Sequence, residues 1–163
     1  MSQINITFPD KTVKSFEAGI TPLAIAQSIS RSLAEKCVVA EINGKPVDLN
    51  YPIQNDASLK LITSDTEEGM QVFWHTSTHV MAQAVKRLWP EAKLEDGPPT
   101  ESGFFYDILF PQPISQDDFP KIEAEMAAIV KEKYSTSRKE LPREEAIRLF
   151  QSKHEDFKID IIQ

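Results

Sequence analysis

Cys37-Val38-Val39-Ala40-Glu41-Ile42-Asn43-Gly44 is the stretch on which the fold turns. Its β-branched run reads as a buried strand. Asn-Gly directly after it is the favoured pair for a tight hairpin turn. Upstream, Ile4, Ile6 and Phe8 alternate as in a half-buried strand. Pro9-Asp10-Lys11 supplies a turn, and a second strand starts at Val13–Phe16. Thr21-Pro22 pairs a hydroxyl N-cap with proline at the first helical position. Leu23, Ala26, Ile29 and Leu33 mark the apolar face of the helix that follows. Downstream, Leu59–Thr63 is a last strand. The order strand–strand–helix–strand–strand–strand is that of a β-grasp, ubiquitin-like unit over residues 1–63.

Ser64-Asp65-Thr66-Glu67-Glu68-Gly69 is polar and free of apolar residues, so residues 64–69 read as a linker. Residues 70–163 then form a second α+β domain, making the whole chain α+β. A helix spans 70–90, ended by Pro90. Gly103-Phe104-Phe105-Tyr106-Asp107-Ile108 reads as a strand, with Phe104 and Tyr106 on one face and Phe105 on the other. Ser115 with Asp118 forms a capping box for a helix striped by Phe119, Ile122, Met126, Ile129 and Val130. Pro142 opens a shorter helix carrying Ala146, Leu149 and Phe150. Phe157-Lys158-Ile159-Asp160-Ile161 alternates like a final strand. Running to Gln163 without a cap, it suggests a sheet continued in further sequence, as in a piece of a longer protein.

The 163 residues suit one ordinary domain or two small ones. No stretch approaches the roughly 18 apolar residues of a membrane span, and the N-terminus lacks the pattern of a signal peptide. The single cysteine, Cys37, has no internal disulfide partner and reads as a core thiol, which makes a cytoplasmic home the default expectation. A net charge of −7 argues against a self-sufficient nucleic-acid binder, though not against one local patch.

The chemistry-bearing candidates centre on Trp74-His75-Thr76-Ser77-Thr78-His79. At i and i+4 of a helix, His75 and His79 share a face. A zinc-protease motif would need glutamate where Thr76 stands. A two-histidine metal half-site needs further ligands; His154 is the one spare histidine, and Glu155 and Asp156 beside it read as ordinary loop residues. Tyr106 could orient water or a hydroxyl next to the pair. Lys158 reads as a lysine on an edge strand. The chain has no phosphate loop, dinucleotide fingerprint or nucleophile turn.

The run His75–Pro90, followed by Gly97-Pro98 and Gly103-Phe104-Phe105-Tyr106-Asp107, strongly resembles threonyl-tRNA synthetase, in its N-terminal editing region. Residues 1–63, with Glu41-Ile42-Asn43-Gly44-Lys45-Pro46-Val47-Asp48-Leu49, resemble the TGS domain that precedes it. The resemblance implies hydrolysis of serine wrongly attached to threonine tRNA. Serine lacks one methyl of threonine, worth only about 1–3 kcal/mol of discrimination, so a second sieve is needed. It further implies that His75, His79, Tyr106 and Lys158 serve that editing site. Thr76, Ser77 and Thr78, by their positions between the two histidines, are expected to face away from the pair. ATP, magnesium and a catalytic zinc are expected to belong to an aminoacylation core outside this sequence, as are a Cys-x-x-x-His segment and the contacts of a homodimer. By itself the stretch is expected to be inactive, with no cofactor or metal of its own; in the full-length enzyme its partner is tRNA. The alternative is a freestanding β-grasp-containing RNA-binding or regulatory module without catalysis.

Overall fold

The structure, a computed structural model, describes residues 2–134 and 138–163. It divides into two compact units, one up to Phe73 and one from Trp74 onward.

In the first unit, β1 (Gln3–Thr7) and β2 (Val13–Glu17) form an antiparallel hairpin. The alternation of β1 buries Ile4 and Ile6 on one face, as the sequence pattern requires. Helix α1 (Pro22–Ile29) starts where expected: Thr21 Oγ1 accepts from Ala24 N at 3.2 Å, and Pro22 opens the first turn. Its inner face differs from the reading of one continuous stripe. Pro22, Ile25 and Ala26 are buried, whereas Ile29 is 45% exposed. The reason is a break at Ser30, whose extended backbone ends α1 and whose hydroxyl caps α2 (Arg31–Lys36) through Leu33 N. Leu33 therefore sits on a separate helix.

Strand β3 (Cys37–Ile42) turns through Asn43 and Gly44, at φ 52° and 75°, into β4 (Lys45–Val47). This is the paired positive-φ geometry that Asn-Gly favours. Strand β5 (Ala57–Thr63) completes a five-stranded sheet in the order β2-β1-β5-β3-β4, with β1 and β5 parallel and the other pairs antiparallel. Ile4, Ile6, Ile25, Ala40, Ile53 and Leu59 make the core beneath α1. This is the β-grasp arrangement. Cys37 is buried at the start of β3, and loss of solvent raises its thiol pKa, as a core cysteine should show.

Helix α3 (Glu67–Leu88) begins inside the stretch read as a linker, so only Ser64–Thr66 turn before it. Thr66 Oγ1 accepts from Gly69 N at 3.1 Å and caps the first turn. Gly69 itself is needed there, because a Cβ would lie 2.0 Å from the carbonyl oxygen of Thr63.

The second unit carries most of α3. The expected strand 103–108 is two short ones. β6 (Lys93–Leu94) pairs with β9 (Ile108–Leu109), and β7 (Pro99–Thr100) with β8 (Gly103–Phe104), leaving Phe105–Asp107 irregular. The Ser115–Asp118 capping box is present on a 3-10 turn that leads into α4 (Phe119–Glu132). Of the stripe read for α4, Ile129 is buried, while Phe119 and Val130 are exposed. Helix α5 (Arg143–Ser152) follows Pro142. The final segment corrects the sequence reading: Asp156–Ile162 is a helix, α6, and not a strand. Glu155, Phe157, Lys158, Ile159 and Ile162 are the less exposed positions here; all but Phe157 form a helical i, i+3, i+4, i+7 set counted from the N-cap, while Ile161 is 61% exposed. No helix among the described residues is long and apolar enough to cross a membrane.

Candidate active site

Helix α3 presents both histidines on one side. His75 Nε2 and His79 Nε2 lie 3.1 Å apart with the rings edge-on. At that distance one nitrogen donates its proton to the other, so the two rings hold complementary tautomers. The protein around the His79 ring removes water and lowers its pKa; the charges at His75 and Lys158 add to the effect. His79 as a whole residue remains exposed. His79 is thus held toward its neutral form, which can accept a proton from a bound water.

Lys158 lies in the first turn of α6, and its position as a helical residue replaces that of an edge-strand lysine. Its Nζ donates to the carbonyl oxygen of Glu95 and reaches the hydroxyl of Tyr106 at 3.4 Å. Tyr106 stands in the irregular segment between β8 and β9. That segment is tied to its neighbour strand by Glu95 N donating to Asp107 O at 3.0 Å and Asp107 N to Asp96 O at 2.8 Å.

Gly97 closes the assembly. A Cβ there would sit 2.6 Å from Tyr106 Cδ2, 2.8 Å from Phe105 O and 2.8 Å from Thr78 Cγ2. The segment bearing Tyr106 therefore abuts α3 one residue before His79. Thr78 is the buried contact on that side of α3. It is 1% exposed, packs on Gly97, and donates its hydroxyl to Trp74 O at 2.9 Å.

All four sequence candidates thus lie in the second unit as two bonded pairs, His75–His79 and Tyr106–Lys158, with the Lys158 charge acting on His79. Such a set offers a proton acceptor, a hydroxyl and a cation for a developing negative charge. Among the described residues, no group of three or more His, Cys, Asp or Glu side chains could hold a metal ion. The packing of Thr78 on Gly97 and the Lys86–Glu155 ion pair were not read from the sequence. Gly97 entered only as part of the motif that carries the resemblance, which gave it no packing role.

Comparison with known proteins gives the same outline. The TGS domain family matches residues 4–63. The threonine–tRNA ligase of Acetivibrio thermocellus is 46% identical over 160 residues, covering 98% of this chain and 25% of the relative. That of Symbiobacterium thermophilum is 45% identical over 161 residues, covering 99% and 25%. That of Streptococcus uberis is 47% identical over 160 residues, covering 98% and 24%. The chain spans about a quarter of the length of the curated relatives it matches. It carries a TGS domain at residues 4–63 and is similar, over nearly its whole length, to the N-terminal part of bacterial threonine–tRNA ligases.

Proposed function

We propose that this chain is the N-terminal region of a threonine–tRNA ligase, that it works in the cytoplasm on tRNA, and that its second unit contributes to removing serine from mischarged threonine tRNA. The observation that supports this reading best is the juxtaposition of the His75–His79 pair, with the His79 pKa lowered, and a Tyr106–Lys158 pair. Hydrolysis of a seryl ester needs a water turned toward the carbonyl carbon and a partner for the oxyanion that forms. The imidazole that donates within the pair takes the water proton at its other, unprotonated ring nitrogen and returns it to the ribose oxygen as that oxygen leaves, while the Lys158 ammonium, with one donor beyond those used on Glu95 and Tyr106, faces the oxyanion. The Tyr106 hydroxyl orients the terminal ribose.

The test uses the product of the complete reading frame and seryl-tRNA. His75→Ala and His79→Ala are expected to slow deacylation roughly a hundredfold or more, the scale of a positioned acid or base, while threonine activation is unchanged. Unchanged deacylation in both variants removes the assigned roles and favours the noncatalytic RNA-binding module.

A further inference from the structure

Lys86 lies seven residues beyond His79, two turns along the same face of α3. Its ammonium has three protons, and the structure gives it three acceptors: Pro90 O at 2.8 Å, Ala92 O at 2.9 Å and the Glu155 carboxylate at 2.9 Å. The Glu155 side chain is 14% exposed, so this ion pair is largely withdrawn from water. Glu155 is also where α6 begins. Its carbonyl accepts from Lys158 N at 3.1 Å and Ile159 N at 3.3 Å, and its own N–H donates to Phe150 O at the end of α5. Two more links hold the same turn. Lys93 pairs with Asp156 at 2.7 Å, and Lys158 Nζ bonds Glu95 O. One lysine thereby fixes the end of α3, the entry to β6 and the start of α6, and Lys158 follows one turn later on the face that bears Glu155.

We infer that Lys86 and Glu155 are a positioning pair, which sets where the Lys158 ammonium stands relative to Tyr106 and the histidines. The inference rests on the editing reading, since the catalytic use of Lys158 comes from there. Residues that read as ordinary loop in the sequence become the mount of a site residue. Losing the pair frees the first turn of α6, and a displacement of roughly 1 Å at a reacting group can cost up to about a hundredfold in rate.

The test combines Glu155→Gln, Lys86→Met and the double variant. In the product of the complete reading frame, each single variant should lower kcat for seryl-tRNA deacylation roughly tenfold to a hundredfold. KM should stay within about twofold and threonine activation should be unchanged. The double variant should be no worse than the poorer single, because the two residues act as one unit, and Glu155→Asp should recover part of the loss. In this chain, imidazole nuclear magnetic resonance should show the His79 midpoint moving up toward its ordinary value in either variant. Unchanged kcat in a folded variant, or effects that simply add in the double variant, would overturn the inference. Should the substitutions unfold the second unit, the unsubstituted chain decides: cross-peaks between the side-chain methylenes of Lys86 and Glu155 support the pair, and their absence overturns it. If His79→Ala also leaves deacylation intact, the editing reading has failed, and the pair is judged on the imidazole titration alone.

Discussion

Replacing Gly97 with alanine adds one methyl where three walls already meet. The backbone there is not in the left-handed region, so the constraint is space and not conformation. The new Cβ would lie 2.6 Å from Tyr106 Cδ2, and carbon atoms settle at about 3.5–4.0 Å, so the ring has to retreat by roughly 1 Å. The second wall, Phe105 O, is backbone in a segment bonded through Asp107 to Glu95 and Asp96, and the third is the buried Thr78. None of the three is the free end of a flexible side chain. Overpacking of this kind costs about 1–3 kcal/mol. For a unit of this size each kcal/mol lowers the melting midpoint by roughly 4–8 °C. Both tryptophans, Trp74 and Trp89, belong to the second unit, so their fluorescence reports on it specifically. Gly97→Ala is expected to lower that midpoint by roughly 4–24 °C and to slow seryl-tRNA deacylation as Tyr106 moves. A midpoint within about 2 °C of the unsubstituted chain would mean that the Tyr106 segment does not press on α3 as described.

The His79 imidazole should titrate below its ordinary value of 6.5, because desolvation, His75 and Lys158 all disfavour its charged form. With the folded value depressed, its contribution to stability is fully present above pH 6.5 and is lost as pH falls through the folded value, so melting midpoints should drop on acidification across that window. Arg87 binds Glu132 through both guanidinium arms, at 2.7 and 2.8 Å, and also meets Glu125 and Tyr134. The Arg87 bonds to Glu132, with a second contribution from Tyr134, hold the Glu132 carboxyl down to about 2. Carboxyl resonances should show that midpoint in the unsubstituted chain and a return toward 4.5 in Arg87→Met; the pair's contribution is present above pH 4.5 and lost as pH falls toward 2. In the first unit, Gly44→Ala has open space around the new Cβ but a φ of 75°. It should cost roughly 1–2 kcal/mol, read as a lower midpoint of amide protection in the β-grasp sheet, with the tryptophan transition unmoved.

Local chemistry made the first unit legible in the sequence. Asn43-Gly44 can hardly be anything but the hairpin turn observed, and Thr21-Pro22 marks its helix start through a hydroxyl and a ring whose effects do not depend on distant partners. The break at Ser30 was not legible, because it takes one cap to end α1 and another to start α2 while the apolar spacing runs on across both. The histidine pair was legible for the same local reason, an i, i+4 spacing on a long helix. Lys158 was placed on the wrong element, a strand where the structure has helix α6. Five residues of alternating apolarity fit either period, and what decides for a helix is non-local: Glu155, held by Lys86 from sixty-nine positions earlier in the chain, starts the turn. The packing role of Gly97 was not legible because a glycine between an acid and two prolines looks like a turn until Tyr106 and Thr78 are seen on either side.

The central claim is that the four-residue cluster serves hydrolysis of a serine ester on tRNA, and its most direct measurement is single-turnover deacylation by the product of the complete reading frame. Seryl- and threonyl-tRNA would be presented separately, with and without the combined His75→Ala, His79→Ala substitution. The account predicts that the unsubstituted protein clears seryl-tRNA at least roughly tenfold faster than threonyl-tRNA, the scale one methyl can supply, and that the double variant loses this hydrolysis while still activating threonine. Equal clearance of both esters, or hydrolysis that persists without the two histidines, would contradict it.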